Sequence, residues 1–582
     1  MQISEVLDFS EPLLIYALLG GFILLYGLVS LILKEKLFIS ESLVATIIGL
    51  ILGPACLKFV DPMKWTSRDT ITEELMRIVL AFQIMAAAIN LPRAYVTRQF
   101  RSMMVMLIPV MIWMWISSAT ILYYFIPNLS FTGTLLIASC VTPTDPILAN
   151  SIVQGSFAEK HIPINVRHLL SAESGVNDGM GFPFLFLALY LLESPRNPNA
   201  AISKWIYFVW GYHILFSIVI GAFIGWAARK LLRLAESRDW IDKESFLVFA
   251  FALAIFVVGG VGILGSDAFL ACFAAGTSFT WDDWFREETQ GAQLQEVIDL
   301  LLNLTTFVYI GMIFPWSSFN LDDLSLKNLI IVSILILIFR RLPIVVVLKG
   351  FIPTIHTFKE ALFAGYFGPI GVGAIFLAIF TKKEISKCLK HDGQDIDEEA
   401  MHHLHQIIFP IVTFIVLSSV IVHGITVPIL NIGSRIDIER LPSIASISSQ
   451  VARLPVIDFV ESLSLERDNH GRVRKKEKTR TEFGRVPIKT NQNERYKDYE
   501  EIAEEEEETE TFPYHVRNDT IINVSEEGGD GELISEEGDD GLIDDKVSPK
   551  IITTNTTDEN AVHSSSTQIG EDSNNKSEQD KE

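Results

Sequence analysis

The chain has 582 residues, 49% of them apolar, and a mean hydropathy of +0.33 coexists with a formal net charge of −23. That combination excludes a single water-soluble domain and fits a hydrophobic body joined to an acidic tail. The negative balance also excludes nucleic acid as a partner of the whole chain, and four scattered cysteines (Cys56, Cys140, Cys272, Cys388) have neither metal-ligand spacing nor a disulfide framework.

Met1 to Glu11 holds Glu5, Asp8 and Glu11 and no basic residue, unlike the start of a cleaved signal peptide. The first apolar run is therefore expected to remain as a membrane span. Runs of about twenty apolar residues, the length that crosses a bilayer, recur to about Val427. About thirteen are read, near 12–33, 38–57, 72–94, 103–126, 131–152, 165–192, 205–232, 245–264, 266–281, 295–315, 328–349, 360–381 and 404–427. Lys34 and Lys36 follow the first; Arg93, Arg98 and Arg101 follow the third; Arg229, Lys230, Arg233, Arg238 and Lys243 follow the seventh. Positive loops stay in the cytosol, which puts the N-terminus outside and the tail inside. The last external loop runs against this bias, since it is expected to hold Lys382, Lys383, Lys387 and Lys390.

Two runs are interrupted. The fifth contains Thr142-Pro143-Thr144-Asp145-Pro146, whose prolines break a helix and release carbonyls. The twelfth contains Gly365-Tyr366-Phe367-Gly368-Pro369-Ile370-Gly371-Val372-Gly373. With the seventh run linking two six-helix halves, each break falls on the fifth helix of its half, the pattern of an inverted-repeat transporter with a midplane site. The expected fold is an all-α membrane protein of about thirteen spans in two inverted six-helix repeats, with crossed broken helices at spans 5 and 12. Residues 1–433 form the membrane domain, 434–460 an interfacial segment and 461–582 an acidic, mostly disordered cytosolic tail. Within that tail, Arg472 to Arg480 is a basic cluster suited to anionic lipid.

Carboxylates inside apolar spans are costly and point to an ion or proton path. The sixth run carries Ser171-Ala172-Glu173-Ser174-Gly175-Val176-Asn177-Asp178-Gly179. At helical spacing Glu173 shares a face with Asn177, and Ser174 with Asp178. A hard cation such as Na+ prefers oxygen ligands, which Asp178, Ser174 and carbonyls freed at 142–144 would supply. Asp178 can hold a proton instead, because desolvation favours the protonated carboxyl and a bound cation the ionised one. Glu173 needs a counter-charge, and Arg340 and Arg341 in the eleventh run are the available cations. A Glu173–Arg341 pair would be structural and leave Asp178 free. The competing expectation is that both arginines snorkel at the membrane surface. Asp267 opens the ninth run, where it would cap a helix or attract cations at a funnel mouth. Glu41 is expected to cap the second helix, and His402, His403 and His405 to form a solvated loop cluster before the last run.

The two acidic motifs, together with Val153-Gln154-Gly155-Ser156-Phe157-Ala158-Glu159-Lys160 and Phe367-Gly368-Pro369-Ile370-Gly371-Val372-Gly373-Ala374, strongly resemble the fungal plasma-membrane Na+/H+ antiporters of the monovalent cation:proton antiporter superfamily. The resemblance covers about residues 10 to 445. It implies a dimerisation half and a six-helix core, with a homodimer as the working unit. It implies that Asp178 carries the exchanged ion, helped by the Thr144 main chain, Asp145 through water, and Ser174, while Glu173 pairs with Arg341. Asn177-Asp178 stands where electrogenic bacterial relatives often have Asp-Asp; the Asn-Asp pair is usually associated with electroneutral exchange, a rule that fungal members do not consistently follow, so the stoichiometry stays open. The expected function is secondary antiport of cytosolic Na+, with Li+ and K+ as further substrates, against external H+, serving pH homeostasis and salt tolerance at the plasma membrane. No cofactor is expected; lipid and cytosolic regulators of the tail are the remaining partners. The alternatives are a K+-preferring exchanger of an endosomal or vacuolar membrane, and a cation sensor without net transport.

Overall fold

The computed structural model of the protein describes residues 11–153, 161–289, 294–320, 324–390 and 397–435, and among them every regular element is a helix. The principal helices are α1 (Glu11–Leu31), α2 (Glu41–Leu52), α3 (Arg68–Ile89), α4 (Met111–Phe125), α5 (Phe131–Val141), α6 (Pro146–Val153), α7 (Ile164–Asn177), α8 (Phe182–Glu193), α9 (Phe216–Glu236), α10 (Lys243–Ile263), α11 (Ala268–Phe279), α12 (Leu294–Met312), α13 (Leu326–Phe339), α14 (Leu342–Leu348), α15 (Phe358–Tyr366), α16 (Val372–Lys390) and α17 (Glu398–Arg435). Side-chain caps set several starts, because the first backbone N–H groups of a helix have no internal partner. Ser130 Oγ accepts from Gly133 N–H at 3.1 Å to open α5. Thr357 Oγ1 accepts from Glu360 N–H at 3.2 Å to open α15, and the Glu360 carboxylate turns back to His356 N–H at 2.8 Å.

Each of the thirteen apolar runs lies on a helix or an interrupted pair of helices. Among the described residues, seven unbroken stretches are long and apolar enough to cross a membrane, and a bent pair makes an eighth. The other runs fall short for separate reasons. Those at α2 and α11 are short, α3 carries charges in its first turns, and the fifth and twelfth are broken. Leu28 is 81% exposed and Ile263 88%, so the outer surface suits hydrocarbon and not water. The protein is a multi-pass membrane protein.

Several local expectations are corrected. The sixth run is not one straight helix: α7 and the turn and helix at Gly179–Glu193 meet at 58°, with Asp178 at the bend. Lys382, Lys383, Lys387 and Lys390 stand on the last turns of α16 and not in a loop. There Lys382 pairs with Asp69 at 2.6 Å and Lys383 with Glu73 at 3.1 Å. These pairs, with Lys387 on Glu384 at 2.5 Å, neutralise three of the four charges that had run against the loop bias. Ser40, not Glu41, caps α2, with its Oγ 3.2 Å from Leu43 N; Glu41 instead pairs with Lys34. His402, His403 and His405 lie on the opening turns of α17. Of the expected segment 434–460 only Ser434 and Arg435 are described, at the end of α17. The rest of it, the tail 461–582 and residues 154–160 lie outside the described residues.

α3 connects two groups of helices. It packs on α10, α11 and α12 on one side and on α7 and α16 on the other. Within the first group, small residues let backbones touch, the usual device where lipid removes the hydrophobic drive for helix association. A Cβ at Gly221 or Gly225 of α9 would lie 2.2 or 2.1 Å from the carbonyl oxygen of Ala271 or Ala275 in α11. Gly49 of α2 and Gly311 of α12 meet in the same way. A Cβ at Gly259 of α10, by contrast, would meet nothing within 4 Å. Gly225→Ala should therefore destabilise the protein by about 1–3 kcal/mol through overpacking, whereas Gly259→Ala should not. Thermal melting of the detergent-solubilised protein compares the two.

Candidate ion-binding site

The site is assembled where the two breaks meet. α5 ends at Val141, Pro146 occupies the first position of α6, and residues 142–145 between them leave the helical path. The second break, residues 367–371, separates α15 from α16. Asp145 N–H donates to the Pro369 carbonyl at 2.9 Å and joins the two.

Two charged residues each serve both breaks. Asp145 Oδ2 accepts from Leu148 N–H at 2.9 Å and its Oδ1 from Val372 N–H at 2.6 Å, so one carboxylate caps both α6 and α16. A carboxylate fits there because helix N-termini carry partial positive charge. Arg340 is 2% exposed and supplies the opposite sign. Its Nη1 donates to the carbonyls of Val141, Thr142 (3.2 Å) and Pro143 (3.3 Å), and its Nη2 to that of Gly368. The expectation that the arginines snorkel is overturned, and two of the carbonyls expected to face a cation, those of Thr142 and Pro143, face Arg340. Arg341 is also 2% exposed. It bonds Glu173 with both terminal nitrogens, Nη1 to Oε1 and Nη2 to Oε2 at 2.7 Å, and its Nε donates to the Ala364 carbonyl at 2.9 Å.

Ser174, Thr144 and Asn177 form a connected set. Thr144 Oγ1 lies 3.0 Å from Ser174 Oγ and accepts from Asn177 Nδ2 at 2.7 Å. Asp178 is 2% exposed, and neither of its carboxylate oxygens has a hydrogen-bond partner among the described residues; Asn177 Oδ1 has none either. Buried polar atoms are nearly always paired, so this trio of oxygens is open to a water, a proton or a cation. Two glycines of the second break and one in the first turn of α16 make room for charge. A Cβ at Gly368 would lie 2.2 Å from Arg341 Cδ, one at Gly371 2.5 Å from the Asp145 carboxyl carbon, and one at Gly373 2.2 Å from Asp178 Oδ1.

Asp267 caps α11, with Oδ1 accepting from Phe269 N–H at 3.0 Å and Leu270 N–H at 3.1 Å, while its buried Oδ2 has no partner. It lines a cavity of about 430 Å³ that also holds Arg77, Tyr190, Glu193, Lys204, Glu384 and Lys387. A Cβ at Gly179, next to Asp178, would lie 2.9 Å from Asp267 Oδ2. Asp267 thus stands between the cavity it lines and the residue adjoining Asp178. Of the residues singled out from sequence, Asp145, Thr144, Ser174, Asn177 and Asp178 come together, Glu173 and Arg341 pair beside them, and Asp267 stands at the cavity side. Sequence reasoning named Arg340 only as a possible counter-charge to Glu173 and the three glycines only as a helix break; it missed that Arg340 binds carbonyls of both breaks and that the glycines make room for Arg341, Asp145 and Asp178.

The sodium/hydrogen exchanger transmembrane family model matches residues 21–432. A probable Na+/H+ antiporter of Schizosaccharomyces pombe (strain 972) is 44% identical over 476 residues, covering 80% of this chain and 62% of the relative. A Na+/H+ antiporter of Saccharomyces cerevisiae is 43% identical, covering 80% and 49%. A second Na+/H+ antiporter of Schizosaccharomyces pombe is 39% identical, covering 74% and 92%. The chain thus spans less than two thirds of the length of the first two. Among solved structures, the sodium proton antiporter MjNhaP1 of Methanocaldococcus jannaschii matches with a TM-score of 0.55 at 22% identity, over 72% of this chain and 98% of that one. That likeness concerns the fold.

The buried pair yields a stability test. Arg341→Met leaves Glu173 charged and unpaired and should cost about 3–5 kcal/mol, whereas Glu173→Gln combined with Arg341→Met should recover much of the loss. Melting temperatures of the solubilised variants, compared as a double-mutant cycle, check this.

Proposed function

Because the chain belongs to the sodium/hydrogen exchanger family, we propose that it is a secondary antiporter exchanging cytosolic Na+ for external H+ by alternating access, with Asp178 as the carrier of either ion. The observation that carries this reading is the buried Asp178 carboxylate with both oxygens unpartnered, beside the crossing of two broken helices. Loss of hydration favours the protonated carboxyl and a nearby cation the ionised one, so one group holds proton or cation in turn. Competition at a site opened alternately to the two sides is sufficient for exchange and needs no nucleotide.

Asp178 would bind the cation directly, with Ser174 and the Thr144 main chain completing its oxygen ligands and Asn177 holding Thr144 in place. Asp145 acts at one remove, since each of its oxygens already accepts a backbone N–H; it contributes through water and through its charge. Glu173 and Arg341 are the structural pair. Asp267 stands in the cavity that would admit ions from outside, given the cytosolic placement of the basic loops after the first, third and seventh runs. Li+, which has the same charge and hard-ligand preference, is a further substrate, and K+ a weaker one. The plasma membrane and a homodimer are the proposed setting. A sensor without transport is disfavoured, because it has no use for a pathway built from two crossed breaks.

Proteoliposomes with an imposed pH gradient test the proposal. Na+ should collapse the gradient, and Asp178→Asn should abolish that response while the protein still inserts. Full activity in Asp178→Asn would contradict the site, and no response of the unaltered protein to Na+, Li+ or K+ would favour the sensor. Competition has a quantitative signature as well. Once the carboxyl is mostly protonated, the Na+ concentration for half-maximal exchange should rise about tenfold per unit fall in pH, as one-proton linkage requires. A flat dependence at acidic pH would show that proton and cation do not share a group.

A further inference from the structure

The second break is held from two sides, and only one of them is the ion site. On the site side, Pro369 O accepts from Asp145 N–H and Gly368 O accepts from Arg340. On the opposite side the same segment meets α17, where Ser419, His423 and Thr426 fall at helical spacing on one face. Ser419 Oγ accepts from Ile370 N–H at 2.8 Å. His423 Nε2 lies 3.2 Å from the Tyr366 carbonyl oxygen, and its Nδ1 lies 2.9 Å from the Ser419 carbonyl oxygen and 3.2 Å from Ser419 Oγ. A carbonyl only accepts, so in either tautomer the protonated ring nitrogen donates to a backbone carbonyl, of Tyr366 or of Ser419. Thr426 Oγ1 lies 2.7 Å from the Tyr366 hydroxyl, and the His423 ring packs on those of Tyr366 and Phe367 at centroid distances of 5.5 and 6.3 Å. Ser419 is fully buried and His423 3% exposed, so water offers no substitute partners.

We infer that Ser419 and His423 are positioning residues for ion binding: they strap the outer side of the second break to α17 and so keep Val372 N–H on Asp145 and Gly373 against Asp178. Ile370 has no helical partner for its N–H, and a buried N–H must be satisfied somewhere. The strap supplies it two residues before the amide that caps α16. Neither residue touches the ion. The inference rests on the antiport reading for its transport readout only.

The test uses full-length protein and two readouts. Hydrogen–deuterium exchange follows the amides of residues 366–373 in the solubilised protein, and the Na+ concentration for half-maximal exchange is measured in proteoliposomes. In Ser419→Ala the segment should exchange about tenfold faster, the scale of one lost hydrogen bond. The half-maximal Na+ concentration should rise by a similar factor, with the maximal rate per inserted protein little changed. Ser419→Thr, which keeps the hydroxyl, should restore both. His423→Gln, which can still reach Tyr366 O, should fall between His423→Ala and the unaltered protein, and serves if Ser419→Ala does not fold. Unchanged amide exchange would overturn the strap, and faster exchange with unaltered Na+ dependence would overturn its positioning role. If the unaltered protein shows no Na+ response, the antiport reading fails, and amide exchange alone still supports or overturns the strap.

Discussion

Two helices that stop inside a membrane leave four ends whose backbone groups have no helical partner, in a medium that offers none. Most of this falls to two residues. Asp145 receives the positive ends of α6 and α16, and Arg340 the carbonyls at the end of α5 and that of Gly368 beyond α15, whose own last carbonyls meet Arg341 and His423. Each charge serves both breaks at once, so neither break can move far without the other. The close approach of glycine backbone to Arg341, Asp145 and Asp178 follows from that crossing, because a side chain at 368, 371 or 373 would occupy the space of a charged group.

The charges around the crossing have distinct roles. Asp145 and Arg340 face helix ends, and Glu173 and Arg341 face each other. Asp178 is the acid left over, one negative charge more than the two arginines balance. The cluster is electrically neutral with one proton or one monovalent cation on Asp178, which suits a site that holds each in turn. The bend at Asp178 brings this carboxylate against Gly373 in the first turn of α16, directly after the second break.

Much of this is legible in the sequence, for identifiable reasons. Pro143, Pro146 and Pro369 with its neighbouring glycines announce the breaks, because helix interruption is a local property. The pairing of Glu173 with Arg341 follows from the need of a buried acid for a counter-charge. What escapes depends on three-dimensional crossing. Arg340 and Arg341 are adjacent in sequence, yet the chain turns between α13 and α14 and sends them to different partners. Asp145 reads from sequence as an acid of the ion site, and that its carboxylate caps two helices is visible only once the breaks meet. The bend at Asp178 had a signal in Gly179, Gly181 and Pro183, which periodicity alone passes over. The lysines of α16 are misplaced because an amphipathic helix end resembles a charged loop until its partners Asp69 and Glu73 are known.

The central claim is that one carboxylate, left unpaired by the crossing, binds proton and Na+ in competition. Proton release on adding Na+ to the solubilised full-length protein, in weakly buffered solution at mildly acidic pH, tests it without depending on transport. About one proton should leave for each Na+ bound, as linkage at a single site requires, and Asp178→Asn should show no release. Na+ binding without proton release, or release that persists in Asp178→Asn, would contradict it.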